Sequence, residues 1–130
     1  MKLELEGEAP KLNPTDEDIR HGIQRLDGKK IGFAILDLDD LFIQVAIDAP
    51  DEFTMEYQNG TSDEHYTTSG PVTESEVIDT FQAFARGETS WFDRFQWDKM
   101  NLNKGIGCLP CLILTVLTTS SLGLAAIIKQ

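Results

Sequence analysis

Between Ile31 and Tyr57, apolar side chains recur at every second position in three successive runs, and a short turn cuts each run off. "KIGFAIL" sets Ile31, Phe33 and Ile35 on one side, with the small Gly32 and Ala34 on the other. "LFIQVAID" alternates Leu41, Ile43, Val45 and Ile47, and "FTMEYQ" alternates Phe53, Met55 and Tyr57. The connections "DLDD" and "APDE" are too short to carry a crossover, so neighbouring strands must run antiparallel. Asn59-Gly60 is a strong tight-hairpin signal, leading into a weaker, polar strand "EHYTT" expected at an edge. These runs predict a four-stranded antiparallel meander.

Two helices flank it. "TDED" places a Thr cap at position 15 with an acid three residues on, and Ile19, Ile23 and Leu26 follow at helical spacing until Gly28. This predicts a helix over about 15 to 27. "TESE" repeats the capping signal at Thr73, ahead of the stripe Val77, Ile78, Phe81, Phe84 and Ala85, with Gly87 as its stop. Helices laid on one face of the sheet give a two-layer α+β domain. Residues 1–14, with mixed charge and two prolines, read as a loose N-terminal arm ahead of a domain over 15–103.

Charge divides the chain sharply. All 22 acidic residues precede Lys104, where only nine Lys and Arg accompany them, so residues 1–103 carry a net −13. Such a surface repels a phosphate backbone and excludes nucleic acid as the expected partner. It attracts and steers a basic protein instead. "MKLELEGEAP" has no apolar core of a signal peptide, which leaves the acidic body expected in the cytoplasm. Two cysteines, both late in the chain, provide no disulfide framework for it.

From Gly105 to Ile128 there is no charged residue. A helix over the last 23 of these spans roughly 34 Å, enough for a hydrocarbon core of about 30 Å. The expectation is a C-terminal hydrophobic helix over 105–128 acting as a transmembrane anchor; the alternative is an element buried in the domain. Lys99 and Lys104 on the near side place the body on the cytoplasmic face of the membrane. With a buried tail the protein is simply cytoplasmic.

Several patterns bear on chemistry. Asp37-x-Asp39 after an apolar strand matches the way haloacid dehalogenase-like phosphatases present nucleophile and acid. Here another alternating strand follows at once, which makes "DLDD" a hairpin turn. Asp37, Asp39 and Asp40 together resemble a hard-cation site, but an EF-hand needs Gly sixth and Glu twelfth, where Phe42 and Asp48 stand. Cys108 and Cys111 in "CLPC" have the spacing of a redox pair without its βαβ context. Near a membrane end they are also candidate acylation sites. His21 and His65 belong to no visible catalytic triad. Trp91, Phe92, Phe95 and Trp97 are expected to cap the core rather than form an interaction surface.

Three short pieces, "RLDG" at 25–28, "VIDTFQAFARGE" at 77–88 and "QWD" at 96–98, resemble the immunity proteins of bacterial polymorphic toxin systems, in the family numbered one. The likeness covers residues 16 to 98. It implies a protein that binds and neutralises a cognate toxin, with no catalysis and no cofactor of its own. The acidic body would then face a basic toxin domain. From turn position and charge, the expected binding residues are Asp37, Asp39, Asp40, Asp51, Glu52, Asp63 and Glu64. The competing readings are a membrane-tethered, metal-dependent hydrolase using Asp37 and Asp39, and a membrane-anchored acidic adaptor of another role.

Overall fold

The computed structural model of the chain describes residues 1–100. The expected helix over 105–128, with Cys108 and Cys111, lies outside the described residues. The strands are β1 (Lys2–Leu5), β2 (Lys11–Leu12), β3 (Phe33–Leu38), β4 (Leu41–Ala49), β5 (Glu52–Asn59), β6 (His65–Thr68) and β7 (Trp97–Met100). The helices are α1 (Asp16–Gln24) and α2 (Glu74–Ala85), with 3-10 turns at Ser62–Glu64 and Ser90–Arg94. The fold is α+β, a seven-stranded sheet in the order β2-β1-β3-β4-β5-β6-β7, antiparallel at every pair.

The four-stranded meander is therefore corrected to seven strands. Its centre is as expected, with Leu38 opposite Leu41 across the β3–β4 turn and Ala49 opposite Glu52 across the next. The loose arm is also corrected. Leu3 and Leu5 alternate with Lys2 and Glu4, and their burial holds β1 against β3. Dense charge between the leucines hides that alternation. At the other side, β7 pairs with β6, so the "EHYTT" strand is internal rather than an edge.

Both helices begin on complete capping boxes, Thr15 with Asp18 and Thr73 with Glu76, which satisfy donors that a helix start leaves unpaired. The end of α2 is a Schellman turn: Gly87 N–H donates to Phe84 and Glu88 N–H to Ala83, with Gly87 at φ 81°. Ile19 and Ile23 of α1 and Val77, Phe81 and Phe84 of α2 pack onto Leu3, Leu5, Ala34, Leu36, Ile43, Val45, Phe53 and Met55. Core-facing residues on β3 are thus Ala34 and Leu36. Phe33 and Ile35 point to the opposite face.

The aromatic segment closes one end of this core. Trp91 is buried, its indole N–H donates to the Glu88 carbonyl, and its ring meets Tyr57 edge-on at 4.9 Å. Phe92 stacks on Trp97 at 5.0 Å, and the Trp97 N–H donates to the Phe92 carbonyl. The capping role expected of these aromatics is the one they take.

Candidate functional site

Two turns meet at one end of the sheet. Asp39 and Asp40 form the two-residue β3–β4 turn, with Asp39 at φ 54°, a conformation that Asp tolerates better than most residues. The Gly60 N–H, in the turn after β5, donates to the Asp40 carbonyl at 3.0 Å. That bond brings the "NG" turn and the Ser62–Glu64 segment to the same end. Asp37, Asp39, Asp40, Asp63 and Glu64 therefore share one end of the sheet.

These acids are not equivalent. Asp39, Asp40 and Asp63 are exposed. Glu64 accepts from the Tyr66 hydroxyl at 2.7 Å and lies 3.5 Å from Lys99, and these contacts hold its carboxyl below the usual range. Asp37 is half-buried opposite Lys2 in β1. Burial raises its pKa, with Lys2 and the N-terminal ammonium pulling the other way and Asp39 adding to the rise. Among the described residues no three His, Cys, Asp or Glu side chains are grouped to hold a metal ion. The strand after the turn pairs antiparallel with β3, so "DLDD" is the hairpin its spacing indicates.

Asp51 and Glu52 sit at the opposite end, in the β4–β5 turn. Asp51 has a structural task there: at φ 58° its carboxylate accepts from the Glu74 N–H at 2.8 Å, capping the start of α2. The seven expected binding residues thus divide into five at one end and two at the other.

A polar cluster that the sequence reading passed over occupies the sheet face opposite the helices. Gln44, Glu56 and His65 are each 0 % exposed. Glu56 Oε1 lies 2.7 Å from His65 Nε2 and accepts from Gln44 Nε2 at 3.1 Å. His65 Nδ1 lies 2.9 Å from the Gln58 side-chain oxygen, and Phe42 tilts against the imidazole. Burial pushes the imidazole down to about 4, so the ring is neutral at pH 7. Its single proton then belongs on Nε2 toward Glu56, with the Gln58 amide turned to donate to Nδ1. The signal in the sequence is polar Gln44, Glu56 and Gln58 at the positions of β4 and β5 that alternate with the core-facing residues. Alternation alone reads such residues as solvent-facing.

A cleft of about 290 Å³ opens between the β1–β2 hairpin and α1, with Glu8, Lys11, Asp18, His21 and Arg25 on its walls. Arg25 and Glu8 pair across it and Asp18 serves the α1 cap, so its charges are largely engaged in structure. His21 is exposed beside Glu17. No described helix is long and apolar enough to cross a membrane.

The three pieces carrying the family likeness are local backbone devices. In "RLDG" the Asp27 carboxylate accepts from the backbone N–H of Lys29, Lys30 and Ile31, and Gly28 has φ 73°. "VIDTFQAFARGE" is α2 with its Schellman stop, and "QWD" opens β7. Comparison with models of known protein families, with curated proteins and with solved structures finds no match.

Proposed function

We propose that the chain is a non-enzymatic binding module, an immunity protein that neutralises a basic toxin domain through the acidic end of its sheet. The observation that carries this reading is the Gly60–Asp40 backbone bond. It fastens two acid-bearing turns together, so that Asp39, Asp40 and Asp63 present charge from one rigid end. The net −13 over residues 1–103 supports the same choice of partner, through steering and rejection of acidic competitors. The likeness to immunity proteins supplies the class of partner.

The test begins with capture of the partner by the full chain, followed by co-expression. Cells arrested by the captured protein should regain growth. Combining Asp39→Asn, Asp40→Asn and Asp63→Asn should weaken binding about tenfold or more and flatten its salt dependence. Glu52→Gln, at the far end, should leave both unchanged. Rescue that survives the triple change, or an intrinsic turnover that Asp37→Asn abolishes, defeats the proposal.

A further inference from the structure

The turn that ties the two acidic loops together also carries a reactive dipeptide. Asn59 ends β5 opposite Leu41, and Gly60 follows it at φ 92°. Both residues are exposed. No atom lies within 4 Å of where a Cβ on Gly60 would stand, so this flank is open to water. Gly60 also brings no side chain of its own to crowd an approach of its nitrogen to the Asn59 carboxamide. The other asparagines, Asn13, Asn101 and Asn103, precede Pro14, Leu102 and Lys104. Proline has no N–H to lose, and the other two followers carry side chains that hinder the same approach.

We propose that Asn59 is a site of spontaneous deamidation and that the Gly60–Asp40 hydrogen bond is its catch. In the reaction the Gly60 nitrogen bonds to the side-chain carbonyl carbon of Asn59, and the carboxamide C–N bond breaks. The proton lost from Gly60 leaves with the departing ammonia by way of solvent. Water then opens the resulting succinimide. Opening at one carbonyl gives an aspartate in an ordinary backbone; opening at the other gives isoaspartate, whose main chain runs through the former side chain. The folded turn resists the first step twice. The N–H that must be lost donates to the Asp40 carbonyl at 3.0 Å. A strand backbone at Asn59 also directs the next nitrogen away from its own side chain, and swinging it inward breaks both that bond and the pairing with Leu41. Closure therefore waits for this end of the sheet to open. Either product adds a carboxylate at the end where Asp39 and Asp40 stand. Isoaspartate also adds a backbone atom, which carries the Gly60 N–H off the Asp40 carbonyl, so the catch does not re-engage. This chemistry is independent of what the acidic end binds.

The test ages the full chain at pH 8 and follows each asparagine by peptide mass mapping. In guanidinium chloride Asn59 should lose its amide before Asn13, Asn101 and Asn103. In native buffer the loss at Asn59 should slow about tenfold or more. Asp39→Val sets a β-branched residue at φ 54°, loosens the turn and should raise the native rate at Asn59 about threefold or more. Equal rates in the two buffers, slower loss at Asn59 than at another asparagine of the unfolded chain, or an unchanged native rate in a folded Asp39→Val chain would each overturn the proposal. The comparison of buffers uses the unaltered protein and stands even where the variant does not fold.

Discussion

Acidification should weaken this fold through one buried side chain before the carboxylates take effect. His65 has an ordinary pKa of 6.5, and burial lowers it to about 4 in the folded chain. The unfolded chain therefore takes up a proton that the folded one refuses. The stabilisation is fully present above pH 6.5 and is lost as pH falls toward 4. The difference corresponds to roughly 3 kcal/mol, a large share of a small domain's stability. Two forces oppose each other at this ring: enclosure disfavours the cation, while Glu56 at 2.7 Å favours it. With no imidazole surface in contact with water, desolvation wins. Urea unfolding at pH 7.5, 5.5 and 4.5 measures the result, with His65→Gln as reference so that the acids common to both chains cancel. The native chain should lose about 1 to 2 kcal/mol relative to the variant by pH 5. An imidazole that titrates above 6.5 by NMR would reverse the sign, because a paired imidazolium gains stability on acidification, and would refute the reasoning.

Asp37→Asn should raise the midpoint of urea unfolding at pH 7, since burial penalises the charge there; the raised pKa of this acid means its ionisation costs stability as pH rises, and the gain should vanish below its unfolded pKa. Asp51→Ala leaves the Thr73 capping box in place but removes the added bond to the Glu74 N–H and puts a residue without a polar side chain at φ 58°, and should cost about 1 to 2 kcal/mol by the same assay, with Asp51→Asn close to neutral. Trp91→Ala empties the centre of the aromatic cluster and should cost about 3 to 5 kcal/mol, read by calorimetry as a lower Tm.

Elements with a local chemical signature were legible in the sequence. The two Thr caps fix the starts of α1 and α2, and the "DLDD" and "NG" turns fix the middle of the sheet. What escaped depends on contacts between distant segments. β1 is a strand because Leu3 and Leu5 find α1 and β3, a fact that Lys2, Glu4 and Glu6 obscure. β7 is a strand because β6 offers it an edge, and its aromatic start read only as a cap. Which side of β3 meets the helices was not legible, because period two separates the sides without saying which lies inward, and both sides of Phe33–Leu36 are buried. Of the acids, Asp39, Asp40 and Asp63 stand exposed as their turn positions indicate. The capping role of Asp51 and the Glu56–His65 pair arise from neighbours remote in sequence.

The brevity of β2 bears on how copies of this molecule treat one another. Lys11 and Leu12 are all the strand there is on that border, with Pro10 just before it, Asn13 at φ 48° just after, and Pro14 next. A stray strand arriving there would find hardly two residues of backbone to grip, beside prolines that have no N–H to offer and a lysine ammonium that repels its own kind. On this flank the described sheet offers a newcomer too little ladder to extend.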